Sequence, residues 1–219
     1  GKWGYFTQCF DALIEASTGS LTIVLNLGYY DDFTFDFGWT VSGDAETGEW
    51  VRDVPNPTTN SVMGNDSFDD CGEMAYVTGN GDNPDPDYDD VDDGITILTS
   101  PVMDLTSYQN PGIFWDFAYL CNHGPGNIDD TLTFLLSNGL EQEMVFQVLP
   151  PQTELMSFES IGINLLEFNN IDITNSMTFS VSVSDLEPNI NITEAAIDYF
   201  RVEEMIGLEE SNPESFCIY

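Results

Sequence analysis

Positive charge is almost absent from this sequence. Its only lysine and arginine residues are Lys2, Arg52 and Arg201, against 39 acidic residues, and the formal net charge is −36. Nucleic-acid binding needs a basic face that neutralises phosphates, and anionic membrane surfaces attract basic segments. We therefore exclude nucleic acid and anionic membrane surfaces as partners.

Long apolar runs are also missing. No run approaches the roughly 20 apolar residues that a transmembrane helix needs, so no membrane span is predicted. The sequence carries no secretory signal pattern either. We expect the chain that begins at Gly1 to be a mature protein or a piece of a longer one.

Catalytic motifs are scarce. The single histidine, His123, lies in a Gly/Pro-rich segment that we interpret as a loop, and no Gly-x-Ser-x-Gly elbow accompanies it. The glycine-rich stretches precede no predicted helix, which excludes phosphate loops and dinucleotide fingerprints. A carboxylate pair for glycoside hydrolysis stays open among the 39 acids, because distance in space decides that chemistry. The sequence therefore favours a protein that is not an enzyme.

Cysteine is sparse and widely spaced. The four cysteines, Cys9, Cys71, Cys121 and Cys217, form no C-x-x-C pair, which argues against a zinc site. In an exported protein an even number of cysteines suggests disulfides, and four cysteines allow three pairings. We favour a Cys71–Cys121 disulfide, because both residues flank strands that follow acidic or glycine-rich loops.

A hydrophobic core is nevertheless predicted. Hydrophobic residues make up 42% of the chain and aromatic residues 13%, which is typical of a folded domain and not of a disordered acidic chain. Apart from one helical turn at Phe10–Ala16, the apolar residues occur in short runs rich in β-branched and aromatic side chains. Several runs alternate with period two, as half-buried antiparallel strands do. The predicted strands are Ser20–Leu27, Phe33–Val41, Glu73–Thr78, Ile95–Ser100, Gly112–Tyr119, Thr131–Ser137, Glu143–Leu149, Ser176–Val183 and Ala195–Val202. The fold class is therefore all-β, an antiparallel two-sheet β-sandwich of jelly-roll type.

The most acidic segment runs from Asp82 to Asp93 and contains seven aspartates and two prolines. Such a carboxylate density repels itself unless a cation lies within it. Calcium takes six to eight oxygen ligands, which Asp and Asn side chains and loop carbonyls supply. We predict a Ca²⁺ site here, and the alternative is a solvated acidic loop.

Tryptophan positions suggest one surface aromatic. Trp39 and Trp115 lie in apolar strands and are predicted to fill the core. Trp50 lies beside Glu49 and Arg52 and is predicted to be exposed, where an aromatic face can stack on a sugar.

Ordered motifs between residues 29 and 203 carry a family resemblance. They are Asp31-Asp32-Phe33, Phe37-Gly38-Trp39-Thr40-Val41, Gly48-Glu49-Trp50, Ala75-Tyr76-Val77-Thr78-Gly79-Asn80, Asp89-Asp90-Val91-Asp92-Asp93-Gly94, Leu98-Thr99-Ser100-Pro101, Asp129-Asp130-Thr131-Leu132 and Ala196-Ile197-Asp198-Tyr199-Phe200. In these motifs the chain resembles secreted MAM-like β-sandwich modules, which in bacteria often follow a carboxypeptidase-regulatory-like domain. The family often has a Phe-Glu pair whose glutamate serves calcium; Phe33-Thr34 stands here, and Asp32 or Asp36 can replace that ligand.

The resemblance also places Asp198 near Asp32 and Asp36, where calcium is commonly held. Alternation puts Ile197 and Tyr199 on one face and Asp198 with Phe200 on the other, and an acid in an apolar strand is costly unless it is paired or binds metal. The alternative is an outward, solvated Asp198. The full predicted set of metal ligands is Asp32, Asp36, Asp70, Asp89, Asp90, Asp92, Asp93 and Asp198.

Three segments are predicted. Residues 1–28 resemble the end of a regulatory-like β-domain or a donated strand, residues 29–204 form the MAM-like sandwich, and residues 205–219 resemble a linker toward a type IX secretion sorting signal. The leading hypothesis is a non-catalytic, calcium-stabilised module of a secreted or cell-surface protein, used in adhesion or in binding a ligand such as a glycan. The alternatives are a subunit of an extracellular filament or surface layer built by strand exchange, and an accessory domain of a secreted hydrolase. Expected partners are upstream domains of the same protein or identical subunits.

Overall fold

A computed structural model describes residues 1–9, 22–56, 66–68, 70–81, 83, 88–123, 130–149, 155–186 and 191–205. Eleven strands occur in this part of the chain: β1 Tyr29–Asp31, β2 Thr40–Gly43, β3 Val51–Asp53, β4 Ala75–Val77, β5 Gly94–Thr99, β6 Pro111–His123, β7 Thr131–Ser137, β8 Gln142–Val148, β9 Leu155–Asn164, β10 Thr178–Asp185 and β11 Asn191–Glu204. One 3-10 turn covers Leu165–Glu167. The described residues contain no helix that is long and apolar enough to cross a membrane. The predicted helical turn at Phe10–Ala16 lies outside the described residues.

The strands form two antiparallel sheets. The first has the order β3-β4-β11-β6-β9, with β1 also paired to β11, and the second has the order β2-β5-β10-β7-β8. The prediction of an all-β, jelly-roll sandwich is therefore confirmed.

One edge of strand β11 pairs with two separate short strands, β1 and β4. β1 pairs with residues 200–202 of β11, and β4 pairs with residues 196 and 197. Both strands lie along the same edge of β11, and the β11–β6 register shifts between Asp198 and Arg201. Asp198 therefore lies at the gap between β1 and β4.

The core lies between the sheets and is rich in aromatic rings. Trp115 of β6 is fully buried, with its ring centroid 4.8 Å from that of Phe134 and 4.9 Å from that of Phe179. Phe179 in turn lies 5.4 Å from Phe200 of the first sheet. The strict alternation of buried and partly buried residues in β5 and β7 gives each strand one core face.

The outer face of the first sheet is also covered. Ala75, Val77, Ala118, Leu120 and Ala196 form a second buried cluster there, packed against partly buried Phe158 and Ile192. The connection between β3 and β4 reaches the sheet through Ser67, whose hydroxyl donates to Asp116 Oδ2 over 2.5 Å. This face is therefore no open platform for a ligand.

The described residues of the N-terminal segment, 1–9 and 22–27, pack on the sandwich but add no strand to it. Trp3 lies 5.1 Å from Tyr29 between ring centroids, and its indole N–H donates to the Val102 carbonyl over 2.9 Å. Of the predicted strand Ser20–Leu27, the described residues 22–27 make only an isolated bridge, between Leu27 and Tyr5. That prediction is wrong for these residues: they belong to neither sheet, and the strand that follows them, β1, is the one that pairs with β11. The domain boundary at residue 28 stays a prediction.

The strand predicted at Phe33–Val41 is shorter than expected. Asp31 Oδ1 accepts from the Phe33 amide over 2.9 Å, and Asp32 Oδ1 accepts from the Thr34 amide over 3.2 Å. These local turns, with Phe33 at φ 53°, break the extended backbone, and the strand begins at Thr40. His123, expected in a loop, is the last residue of β6.

Candidate functional site

Four aspartates from three parts of the chain meet at the gap in β11. Asp32 follows β1, Asp66 and Asp70 belong to the β3–β4 connection, and Asp198 lies in β11. Carboxylate oxygens of Asp66, Asp70 and Asp198 all lie within 4.8 Å of one another. Burial raises the pKa of both Asp66 and Asp70, and the nearby charge of Asp32 raises it further. We call these four residues the first carboxylate cluster.

The cluster is buried, and its hydrogen bonding is incomplete. Asp198 is 0% exposed and Asp32 is 1% exposed. Asp198 accepts from the Tyr199 amide over 2.7 Å and from the Ser67 amide over 3.2 Å. Three other oxygens, Asp32 Oδ2, Asp66 Oδ1 and Asp70 Oδ2, are buried and accept no hydrogen bond within the described part of the chain. Buried acceptors of this kind are costly unless a donor or a cation satisfies them.

Positive charge does not compensate the cluster. Arg52 donates to the Phe33 carbonyl over 2.9 Å, Arg201 pairs with Glu203 over 2.9 Å, and Lys2 lies over the Tyr5 ring. Burial therefore raises the pKa of Asp70 to about 6 and raises the pKa of Asp198 well above its usual value. Burial and the surrounding acids also raise the pKa of the Tyr30 hydroxyl.

A second cluster forms where the acidic segment meets the end of β10. Carboxylate oxygens of Asp90, Asp92 and Asp185 all lie within 4.8 Å of one another. Asp185 is placed by the β10–β5 register, which sets it opposite Gly94. Burial, followed by the charge of Asp130, raises the pKa of Asp185 to about 7. We call Asp90, Asp92 and Asp185 the second carboxylate cluster.

The other predicted metal ligands lie outside these groups. Asp36 is exposed, and its Oδ1 accepts from the Gly38 amide over 2.9 Å. Asp89 Oδ2 accepts from the Gly81 amide, and Asp93 is exposed. The eight-residue prediction thus divides: Asp32, Asp70 and Asp198 share one cluster, Asp90 and Asp92 share the other, and Asp36, Asp89 and Asp93 belong to neither. The sequence reasoning missed Asp66 and Asp185, because no local pattern distinguishes them among 39 acids.

A surface cavity of about 780 Å³ lies beside the second cluster. Its lining comes from the β2–β3 connection, from β3 and from the segments on either side of residue 83. The lining side chains include four acids and one tyrosine: Glu46, Glu49, Asp53, Asp89 and Tyr88. Tyr88 is 66% exposed, so one aromatic face is available at this cavity.

The predicted exposure of Trp50 is wrong. Trp50 is 3% exposed and belongs to the main core cluster. It immediately precedes β3, where alternation sends it inward and leaves Val51 42% exposed. A buried indole has no free face for a sugar, and Tyr88 is the exposed aromatic at the adjoining cavity.

The predicted Cys71–Cys121 disulfide is also wrong. Cys71 is bonded to Cys9, and their Cα atoms lie 5.9 Å apart. Cys121 is a buried free thiol of β6 that donates to Asp130 Oδ2 over 3.5 Å. Burial raises the pKa of this thiol to about 12, which keeps it protonated. Spacing in the sequence could not show that β6 carries Cys121 into the sandwich.

No protein-family model and no curated protein matches the chain. Solved structures with similarity to it include TmCBM61, a carbohydrate-binding module in complex with β-1,4-galactotriose, at 17% identity over 79% of this chain and 90% of that one, with a TM-score of 0.41. The K1 cleaved adhesin domain of Lys-gingipain from Porphyromonas gingivalis W83 has 10% identity over 82% of this chain and 99% of that one, with a TM-score of 0.45. A family 11 carbohydrate-binding module from Clostridium thermocellum has 12% identity over 80% of this chain and 93% of that one, with a TM-score of 0.44. At these values the likeness concerns the sandwich fold and carries no argument about function.

Proposed function

We propose that this chain is a non-catalytic, calcium-stabilised β-sandwich module of a secreted or cell-surface protein. The observation that carries the proposal is the first carboxylate cluster, with buried oxygens of Asp32, Asp66 and Asp70 that accept no hydrogen bond in the described residues. The Cys9–Cys71 disulfide supports an oxidising, extracellular location. The predicted type IX secretion, the MAM-like relationship, the neighbouring domains and a role beside a hydrolase stay predictions.

The donor set of the first cluster fits calcium. Ca²⁺ takes hard oxygen ligands, often from several carboxylates, and loop carbonyls or water complete the coordination. Asp32, Asp66, Asp70 and Asp198 would hold the ion. When bound, it supplies the positive charge that the basic residues do not bring to this place. Its structural effect would be to join the end of β1, the β3–β4 connection and β11.

Asp198→Asn tests this assignment. The asparagine keeps the shape of the side chain and removes one charge, so calcium affinity should fall and the calcium-induced rise in melting temperature should shrink. For the wild type that rise corresponds to about 2.7 kcal/mol at a hundredfold excess over Kd, or roughly 5–11 °C for a chain of this size.

Asp36→Asn is the matched control, because Asp36 is exposed and accepts a similar local backbone hydrogen bond. It should leave calcium affinity and the melting shift unchanged. Equal affinities of the wild type and Asp198→Asn would contradict the assignment.

A non-catalytic role is supported by the chemistry available. The sequence has one histidine and three fixed cations, which leaves few groups to activate a nucleophile or stabilise developing negative charge. Assays on peptide, ester and glycan substrates should give no turnover. Turnover that survives repurification and is lost on changing one Asp or Glu pair would contradict this part of the proposal.

The cavity beside Tyr88 is the proposed ligand site, and its chemistry favours a neutral glycan. Carboxylates accept hydrogen bonds from sugar hydroxyls, and an exposed tyrosine ring offers an apolar face for a pyranose. Four acids in one cavity, on a chain with a net charge of −36, would repel acidic sugars.

Titration calorimetry with neutral and uronic-acid oligosaccharides tests the cavity. Tyr88→Ala should abolish binding of the neutral sugar, whereas Phe35→Ala, at an aromatic residue that is 46% exposed and does not line the cavity, should not. Preference for the acidic sugar, or unchanged binding by Tyr88→Ala, would contradict this site.

A filament subunit is the second candidate, and one observation favours it. Ile23, Val24 and Leu27 are 49%, 74% and 78% exposed, and they lie in an apolar segment outside both sheets. Such a segment can add a strand to a neighbour's sheet edge, and the edge strand β2 is exposed along its whole length. Native mass measurement should show polymers that Val24→Lys dissolves if this candidate is right, and a concentration-independent monomer if it is wrong.

A further inference from the structure

We infer that the second carboxylate cluster is a separate divalent-cation site, with Ca²⁺ as the fitting ion, and that its ion fixes one wall of the surface cavity. The site would be built from Asp90, Asp92 and Asp185, with Asp130 next to it. It shares no residue with the first cluster, and its occupancy can therefore be tested independently of the proposed calcium role there.

An independent observation supports a ligand at this place. Asp185 is only 2% exposed; the Thr193 side chain hydrogen-bonds its carboxyl group, but its Oδ2 accepts no hydrogen bond from the described residues. That buried carboxylate faces two further carboxylates within 4.8 Å. Asp130, 0% exposed, accepts from the Leu186 amide over 3.2 Å and adds a fourth negative charge nearby. A buried charge in this position requires a compensating charge.

The geometry favours calcium over magnesium. Mg²⁺ demands octahedral coordination at short distances and keeps several waters, so it is usually held by one or two carboxylates. Three carboxylates within 4.8 Å, with a fourth acid beside them, match the higher coordination number of Ca²⁺.

The acidic segment that supplies two of these ligands is held in place at the backbone. The Val91 amide donates to the Thr193 carbonyl over 2.9 Å, and Asp90 Oδ2 accepts from the Thr193 amide over 3.0 Å. On the other side, the Thr47 hydroxyl donates to the Asp90 carbonyl over 2.8 Å and to Asp92 Oδ2 over 3.4 Å. The carboxylates are thus preorganised between β11 and the β2–β3 connection.

The same residues connect the site to the cavity. Thr47, Tyr88 and Asp89 line the cavity, and Asp90 follows Asp89 directly in the chain. An ion shared by Asp90, Asp92 and Asp185 would tie this wall to the end of β10 and relieve repulsion among the acids. Removal of the ion should therefore loosen residues 88–92 more than the rest of the sandwich.

Calcium titration calorimetry on the chelator-treated, dialysed chain of residues 1–219 tests the inference, with Asp185→Asn, Asp198→Asn and Asp36→Asn as variants. We expect two sites in the wild type and in Asp36→Asn. Asp185→Asn should weaken one site by at least about tenfold and leave the other unchanged, since loss of a direct ligand exceeds the usual effect of an outer-shell change. Asp198→Asn should weaken the other site only.

Circular dichroism shows whether each variant folds, and Asp130→Asn serves as a second variant should Asp185→Asn fail to fold. Amide hydrogen exchange gives a second readout that does not depend on measuring a binding constant. Calcium should slow exchange at residues 88–92 in Asp198→Asn but not in Asp185→Asn. A single wild-type site lost only in Asp198→Asn would overturn the second site and leave the first intact. Unchanged calorimetry and exchange in Asp185→Asn would also overturn it.

Discussion

Mild acid should stabilise the calcium-free protein. Many proteins lose stability in acid because carboxylates paired in the folded state must be protonated. In this chain several buried acids act in the opposite direction, because their protonated form is favoured in the folded state. Burial raises the pKa of Asp31 to about 7 and that of Asp185 to about 7, and the pKa of Asp198 also lies well above its usual value.

The sign follows from proton binding. Between pH 4 and 7 the folded chain holds protons on these carboxyl groups that the unfolded chain has already released, so stability falls as pH rises through that window. From pH 5 to pH 7 a carboxyl group with a pKa of about 7, as for Asp31 and Asp185, changes the free energy of unfolding by about 2.3 kcal/mol, at about 1.36 kcal/mol per pH unit and proton. Solvent screening reduces this to roughly 1.4 kcal/mol per group.

For Asp31 and Asp185 together the expected gain is about 3 kcal/mol, and the melting temperature of a chain of this size should rise by roughly 6–12 °C. Calcium should weaken the trend, because a cation bound at the second carboxylate cluster favours the ionised form of Asp185 and protons compete with it. The assay is a set of thermal melts from pH 5 to pH 8, with chelator and with calcium, at constant ionic strength.

Chelator plus monovalent salt separates a bound ion from general screening. Salt shortens the range of repulsion but places no charge among the buried oxygens, so it should not restore the calcium-bound melting temperature at pH 8. A chelated protein that is less stable at pH 5 than at pH 8 would refute the reasoning. So would a melting temperature that chelation leaves unchanged.

Three further results are expected. Replacing Cys9 and Cys71 by serine should cost about 4 kcal/mol in urea unfolding, because the bond closes a loop with a sequence separation of 62, whereas a reductant should leave that double variant unchanged. Gly48→Ala should cost more than Gly139→Ala, since both have positive φ but only at Gly48 would a Cβ meet the Val91 backbone; equal losses in denaturant melts would contradict this. Trp115→Ala should destabilise by about 3–5 kcal/mol, because Trp115 is fully buried, and near-UV circular dichroism should show loss of core packing.

Sequence reasoning located the strands whose burial alternates. β7 was predicted at the residues where it occurs, and β5, β8 and β10 within two residues at either end, because each has one face in the core. Three strands were missed. β1 and β3 have three residues each, too few for a period to show, and β9 includes Ser157, Glu159 and Gly162, which interrupt its apolar pattern. Their pairing partners, and not their own composition, make them strands.

The candidate site was less accessible to prediction for the same reason. Asp198 could be singled out because an acid stands in an apolar strand, and its exposed fraction of 0% excludes the outward, solvated alternative. Asp66 and Asp185 have no such contrast with their neighbours. The Ser67–Asp198 hydrogen bond joins residues 131 positions apart, a distance over which periodicity carries no information. The strand topology, which brings residues distant in the sequence together, therefore forms the two carboxylate clusters.

The disulfide between Cys9 and Cys71 also determines the route of a mechanical force through the chain. Tension applied at the N-terminal end passes across the sulfur atoms directly to Cys71, so the residues between them, including β1, β2 and β3, carry none of it while the bond is intact. The pull then reaches β4, which is held by β11 on one side and β3 on the other. After reduction the same tension would first meet β1, a three-residue strand with a single partner. Oxidation of Cys9 and Cys71 to the disulfide thus changes which strand the force detaches from its sheet first.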